Sequence, residues 1–330
     1  MGWICALPTE LAAAIEMLDE EHDGLSLDLM NSNPYTFGNI GPHNIVIACL
    51  PAGQVGTNPA ATVAAQMQSS FPQIRFGLMV GIGGGVPSDE SDIRLGDVVI
   101  SQPYKQYGGV VQYDFGKSET GGQFTRTGAL NAPPQVLLTA LAKLRANDMR
   151  GKVNLLKHLS KISRLPKFIY PSTERDDLYQ ATYNHVAGST CDQCNKQQLV
   201  QRKIRESTDV VIHCGTIASG NQVIKDGQTR DRLSSELGGV LCFEMEAAGL
   251  INTFPCLVIR GICDYADSHK NKRWQWYAAA SAAACAKELL DIIPPQGTSA
   301  TTKEADALRG TPLDLQKLSL SISIPDVPFP

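Results

Sequence analysis

Short apolar runs recur along the chain and alternate with longer segments of helical period. Trp3-Ile4-Cys5-Ala6-Leu7, Phe76-Gly77-Leu78-Met79-Val80, Val240-Leu241-Cys242-Phe243 and Leu257-Val258-Ile259 have the length and composition of strands buried on both faces. The stretch at 95–101 reads as another strand. Tyr35-Thr36-Phe37 and Asn44-Ile45-Val46-Ile47-Ala48 read as antiparallel strands joined by a turn at 38–43. Between them lie helix-period segments. Leu11, Ile15 and Leu18 fall on one face, with Thr9 as the expected cap, and Asn58 is the expected cap of an Ala-rich helix. A helix over 133–146 turns Val136, Leu137, Ala140, Leu141 and Leu144 inward, and an Ala-rich helix over 277–293 is stopped by Pro294-Pro295. Strands alternating with helices predict an α/β fold.

Four stretches break the alternation. Residues 102–130 read as a loop-rich excursion, and 226–237 as a charged helix with a solvated face. Residues 150–208 mix charges without a strong period and read as an insertion or lid over the sheet's edge. From 294 the chain turns rich in Ser, Thr, Pro and Gly, which predicts a flexible tail with one strand-like patch at 318–324. One domain over 1–293 followed by the 294–330 tail is therefore expected.

Composition agrees with a single large core, since 330 residues with 43% hydrophobic content can close one α/β domain. A net charge of -4 offers no electrostatic footprint for nucleic acid or an anionic membrane. No apolar run reaches the roughly 18 residues that span a bilayer. The N-terminus lacks a basic n-region and a cleavage site, and Ala6 stands where a myristoylation signal wants Ser or Thr. Most of the nine cysteines examined by context sit in apolar strands, as Cys5, Cys49, Cys242 and Cys256 do, which fits reduced buried thiols. A soluble, cytoplasmic protein is expected.

The candidate chemistry collects where apolar runs end. Glu244 and Glu246 follow the run at 240–243, and Asp264 follows the run at 257–259. In open α/β sheets ligands bind outside the carboxyl ends of the strands. Glu10 occupies the equivalent place after the first strand, where the plain alternative is an acid favoured by the helix dipole. Gly81-Ile82-Gly83-Gly84-Gly85-Val86 is no dinucleotide fingerprint, because Val86 replaces the required Gly or Ala, and no Walker sequence is present. Its glycines suit a turn that brings backbone close to a ligand. Cys191-Asp192-Gln193-Cys194, with His185 nearby, leaves a metal, a local disulfide and free thiols open. Free thiols are the expectation, since structural zinc needs four ligands and no second pair is visible. No metal or organic cofactor is implied.

Phe243-Glu244-Met245-Glu246-Ala247-Ala248, followed by Ile259-Arg260-Gly261-Ile262-Cys263-Asp264, resembles the purine nucleoside phosphorylase and nucleosidase superfamily. Within it the likeness is to fungal nucleosidase-like domains, including those at the front of fungal immune receptors, and it covers roughly residues 2 to 292. The resemblance implies a single-domain, three-layer α/β/α fold with a central mixed, partly barrel-like sheet. It implies Asp264 as the acid that protonates the purine, and Glu10 as the base that activates water. Glu246 would bind the ribose hydroxyls with Met245 packed on the sugar, and Gly83 and Gly84 would line the site. The backbone near Val223 would meet the base. Asn221 stands where related nucleosidases carry Asp. Glu244 reads as supporting, Asp97 as structural, and Asp267 and His269 as lying beyond the site.

Cleaving a purine N-glycosidic bond builds positive charge on the sugar and negative charge on the base, so one carboxyl must be protonated and another ionised. Phosphorylases of this superfamily carry an Arg and a Ser where this chain has Met79 and Ile82, and a Gly-Asp-Pro where it has Leu7-Pro8-Thr9-Glu10. Hydrolysis of purine nucleosides of the adenosine, guanosine and inosine class is thus expected. The alternatives are a phosphorylase, with Arg75, Arg94 or Arg126 as the phosphate clamp, and a nucleoside sensor without turnover. A small-molecule nucleoside is the implied partner, and a homo-oligomer is implied by resemblance only.

Overall fold

In the computed structural model residues 1–23 and 33–294 are described; the predicted tail and its strand-like patch lie outside the described residues. The elements run β1 (Gly2–Cys5), α1 (Pro8–Glu16), β2 (Glu20–His22), β3 (Tyr35–Ile40), β4 (His43–Cys49), α2 (Thr57–Ser70), β5 (Gly77–Gly85), β6 (Val98–Ser101), β7 (Val110–Gln112), β8 (Gly116–Ser118) and β9 (Phe124–Arg126). They continue with α3 (Gln135–Met149), α4 (Leu155–Ile162), β10 (Ile212–Gly215), β11 (Ile217–Ser219), α5 (Gly227–Glu236), β12 (Cys242–Glu244), α6 (Ala247–Leu250), β13 (Cys256–Asp264) and α7 (Gln275–Ile292).

Among the described residues, eleven strands share one mixed sheet ordered β10-β6-β13-β5-β1-β4-β3-β2. At β5 the sheet forks. The first half of β5 pairs in parallel with β1 and β13, while Gly84 and Gly85 pair antiparallel with β12, which carries β11 and β7 beside it. β8 and β9 make a separate hairpin. Residues Met1–Ile293 cluster as one compact unit.

The pleat divides the core into two layers. Trp3 and Cys5 of β1, Leu78 and Val80 of β5, and Leu257 and Ile259 of β13 pack with α1, α3, α4 and α7. Ile4, Met79 and Val258, one residue out of phase, pack with α2 and α6 on the other face. Helices on both faces make the three-layer α/β/α arrangement, and they explain why the central strands read as continuous apolar runs. The middle of α7, from 277 to 287, is buried all round, which is why that stretch is rich in alanine.

Four local expectations change. The first helix starts at Pro8 with Leu7 before it, so Thr9 lies inside the helix; proline's fixed φ suits the first helical position. The second starts at Thr57 after Gly56, whose φ of 103° only glycine holds easily, so Asn58 is also inside. The glycine run at 81–85 is no turn. It is the second half of β5, buried within the sheet. The charged helix α5 is capped by the Asp226 carboxylate, which accepts from Thr229 N–H at 2.8 Å. One of its cations, Arg230, is not solvated but buried, donating to the Tyr265 carbonyl at 2.9 Å.

The segment at 150–208 contains α4, two short 3-10 turns and long irregular stretches. An ion pair and a hydrogen bond fasten it to the body. Arg205 meets the buried Asp97 carboxylate at 2.6 Å, and Arg202, paired with Asp176 inside the segment, donates to the Tyr265 hydroxyl at 2.9 Å. Asp97 also accepts from His213 at 3.0 Å and is structural in this sense.

Packing of α2 on the sheet sets the position of its N-terminus, where Gly56 N–H donates to Glu246 of the site described below. Met67 is fully buried in that layer. Met67→Ala should therefore destabilise the fold by about 2–4 kcal/mol through lost transfer energy and a residual cavity, read as a lower urea midpoint at unchanged slope.

Candidate functional site

β1, β5, β12 and β13 end around one cavity of about 230 Å³. Its lining includes Glu10, Gly83, Gly84, Val223, Met245, Glu246 and Asp264, seven of the residues singled out from the sequence. Glu244 lines it as well. Asn221 does not. Its side-chain oxygen instead accepts from the backbone N–H and the hydroxyl of Thr57, each at 3.0 Å, and its own N–H donates to Asp114. Asn221 therefore holds the start of α2, and an amide that accepts from Thr57 does not need the charge of an Asp.

Glu10 is 4% exposed and sits at the third position of α1. Its Oε2 accepts from the backbone N–H groups of Ala6 at 2.7 Å and Leu7 at 3.0 Å, reaching back as the acid of a capping box does. Its Oε1 accepts from Ile82 N–H at 2.8 Å. Three backbone donors thus fix the carboxylate where α1 meets β5. Burial raises its pKa, Arg260 and the three N–H groups pull it back, and the balance leaves it above the ordinary glutamate value.

Arg260 is the residue that sequence reasoning passed over. It is completely buried in β13, in register with Gly81 of β5. Its Nη2 bonds Glu244 and lies 3.4 Å from Glu246 Oε2. A side chain at Gly81 would collide with both the Arg260 guanidinium and the Glu10 carboxylate, so the glycine makes room for the two to converge. One cation thus faces three carboxylates. The signal available in the sequence was an arginine inside an otherwise apolar strand, a place where only a paired charge survives.

The three carboxylates differ in what else they touch. Glu244 accepts from the N–H groups of Glu246 at 3.1 Å and Ala247 at 3.1 Å, closing the turn into α6. Glu246 accepts from Gly56 N–H at 3.2 Å, linking the site to the loop before α2. Burial pushes the Glu246 pKa up to about 7, with Arg260 opposing and Glu244 and Glu10 adding to the rise. Burial is the larger cause, and the neighbouring carboxylates add to it against the single guanidinium.

Asp264 ends β13. Its Oδ1 accepts from Ala266 N–H at 2.9 Å, and its Oδ2 takes the Cys263 thiol at 3.1 Å and the Lys270 ammonium at 2.6 Å. The sequence led to the expectation of burial or a like-charged neighbour beside this acid. The burial is present, but the neighbour is a cation. Burial alone would lower the Lys270 pKa, and the Asp264 carboxylate outweighs it. A methyl at Gly84 would lie 2.8 Å from Asp264 Oδ1 and 2.9 Å from Ala266 Cβ, so only glycine lets the aspartate sit against β5. Of the described residues lining the cavity, Lys270 is the one cation; Arg75, Arg94 and Arg126 lie elsewhere.

Comparison with known proteins now has a geometry to rest on. The family description "Phosphorylase superfamily" matches residues 1–294. The chain belongs to that superfamily. Over 299 residues it is 52% identical to a nucleotide-binding leucine-rich repeat (NLR)-like protein of Hyaloscypha variabilis, a match that covers 90% of this chain and 29% of that one. The chain thus spans less than a third of that relative's length. It is 26% identical over 313 residues to a 5'-methylthioadenosine/S-adenosylhomocysteine nucleosidase of Mycobacterium bovis, covering 89% of this chain and 96% of the relative. The solved structure of the S. pneumoniae enzyme of that name, with a transition-state inhibitor, superposes with a TM-score of 0.55 at 18% identity, covering 89% and 99% of the two chains. The superfamily's fold is therefore the fold seen here. Among the described residues no helix is long and apolar enough to cross a membrane.

Removing the shared cation tests the electrostatic account. Arg260→Met should destabilise the fold by about 3–5 kcal/mol at neutral pH, because buried carboxylates lose their counter-charge. Protonation relieves that repulsion, so the loss should be smaller near pH 5.5 than near pH 8, measured by urea unfolding at both.

Proposed function

We propose that this chain is a purine nucleosidase, hydrolysing the N-glycosidic bond of nucleosides of the adenosine, guanosine and inosine class to free base and ribose. The observation that carries the reading is the single cavity shared by Glu10, Glu246 and Asp264, with the one lining cation already bound to Asp264. Membership of the superfamily and likeness to a nucleosidase along almost its whole length support N-glycosyl hydrolysis at the general level. The purine class rests on the chemistry of the site and on the adenosine-derived substrates named for that relative.

Glu10 comes from the first turn of α1 and Asp264 from the end of β13, so acid and base reach the cavity from different elements. In its protonated form the Asp264 carboxyl donates to the leaving base; the Lys270 ammonium stabilises the carboxylate left behind, and solvent returns the proton. Glu10 accepts a proton from water; its two oxygens are oriented by backbone donors, and its raised pKa makes it the better base. Glu246 in its ionised form binds ribose hydroxyls and offsets the charge that develops on the sugar. Met245 supplies an apolar wall, and Val223 forms part of the base side of the cavity. Phosphorolysis needs a cationic clamp that this cavity lacks beyond Lys270, which supports water as the acceptor.

The deciding assay is release of free base from adenosine, guanosine and inosine with and without phosphate, with the sugar product identified. Free ribose formed independently of phosphate is the expected result. Ribose 1-phosphate formed only with phosphate would show a phosphorylase, and a bound but unturned nucleoside would show a sensor. Glu10→Gln and Asp264→Asn should each lower kcat by roughly 10²–10⁴-fold, and Lys270→Met by about tenfold or more, with KM changing less. The pH profile gives a separate check. Glu246 must be ionised to act, and its pKa is raised to about 7, so kcat/KM should fall as the pH drops below about 7 rather than below the ordinary glutamate range. A profile flat down to pH 5.5 would sink this assignment.

A further inference from the structure

Between Pro171 and Ser207 the chain runs for more than thirty residues with one short 3-10 turn and one isolated bridge, Tyr179 with Leu199. A long segment without regular structure inside a folded domain is uncommon unless something else organises it. Three side chains in it converge. His185, Cys191 and Cys194 each place a ligand atom within 4.8 Å of the others. Both cysteines are free thiols, Cys194 buried and Cys191 half-buried. Cys194 N–H donates to the Cys191 carbonyl at 3.1 Å, so the Cys-x-x-Cys stretch forms a turn that brings the two thiols together.

The imidazole of His185 is already oriented as a ligand would be. Its Nε2 bonds the Thr190 carbonyl at 3.0 Å, which places the proton on that nitrogen and leaves the lone pair on Nδ1. A backbone carbonyl holding the outer N–H is the usual outer-sphere support of a metal-bound histidine. The His185 backbone N–H donates to Ser268 Oγ at 2.9 Å, tying the cluster to the loop that follows β13.

A second, independent observation points to the same place. His269 is 8% exposed, and both its ring nitrogens lack a hydrogen-bond partner. Its ring stacks on Tyr179 at 4.1 Å and meets His185 edge-on, centroids 5.7 Å apart. The Asp267 carboxylate lies 3.6 Å from Nδ1, outside hydrogen-bond distance. His269 and Cys191 line a common cavity of about 150 Å³. A buried imidazole with two idle nitrogens is costly unless a partner is missing.

We propose that His185 Nδ1, Cys191 Sγ and Cys194 Sγ bind a structural zinc ion, and that His269, beside this group and across the shared cavity from Cys191, moves in as the fourth ligand when the metal binds. Two thiolates and two imidazoles are a complete tetrahedral set for zinc. On binding, each thiol releases its proton to solvent, giving Zn(S⁻)₂N₂ with no change of oxidation state. The site joins the irregular segment to the loop at 265–270, which carries Lys270, the partner of Asp264. Its role is thus to fix one wall of the cavity beside the acid, and it is separate from the reaction itself.

The test is metal analysis of the purified chain. About one zinc per chain is expected, falling at least tenfold in Cys194→Ser and His185→Ala. Cobalt added to the metal-stripped chain should give the thiolate-to-cobalt charge-transfer band and the visible bands of a tetrahedral site. These should be weakened in His269→Ala; a spectrum unchanged by that substitution would remove His269 from the ligand set. Variants that fail to fold are covered by the wild-type chain, whose Tm should drop on removing zinc with a chelator and recover on adding zinc alone. Wild-type chain that neither carries zinc nor gains stability from it would overturn the proposal, as would a Cys191–Cys194 disulfide found by mass in chain purified without reductant.

Discussion

The buried guanidinium of Arg260 is the interaction on which the site depends. It lies in the middle of the sheet, it bonds Glu244 and lies 3.4 Å from Glu246, and its charge also acts on Glu10 from the start of the chain. Taking one cation and three acids out of water is unfavourable unless each remaining oxygen finds a donor. The fold supplies those donors as backbone N–H groups. Ala6, Leu7 and Ile82 serve Glu10, Gly56 serves Glu246, and the first turn of α6 serves Glu244. The carboxylates are consequently rigid, and burial, opposed by the one guanidinium, raises the pKa values of Glu10 and Glu246.

The glycine run of β5 makes that arrangement possible. Gly81 and Gly83 point to the face shared by Arg260, and an alanine at either would meet its side chain or that of Cys242. Gly84 does the same service for Asp264. In a central strand glycine is normally unfavourable, since it packs nothing and loses the most entropy on ordering. Here the absent side chains are replaced by the charged groups of neighbouring strands. A run of glycines first read as a ligand-binding turn is better understood as the groove into which the site's own machinery folds.

Much of the architecture was legible from periodicity. The strands at the start of the chain, at 76–80 and at 257–259 were visible because burial on both faces leaves a continuous apolar signature. α1, α3 and α7 showed a helical period or an alanine content that only packed helices sustain. Caps were misplaced by one or two residues because Pro8 and Gly56 set the boundaries by backbone conformation, while the polar residues Thr9 and Asn58 only looked like caps. The glutamates and Asp264 were identifiable as acids at strand ends. Lys270 and Arg260 were not, because their significance lies in distances of a few ångströms to acids six to hundreds of residues away in sequence.

The amino-acid sequence by itself determined the alternation of strands and helices, the superfamily, and the acids available for chemistry, since these follow from local period and residue type. Tertiary structure decided the rest. It chose which acids share a cation, it gave Asp264 a lysine neighbour where burial or a like charge had been anticipated, and it engaged Asn221 with Thr57 at the start of α2. It also brought the side chain of His185 to the two cysteines, which the linear spacing of a single pair could not indicate. The physical reason is common to all four: charge and lone-pair partners are set by proximity in a low-dielectric interior, and the chain separations involved carry no period for a sequence to display.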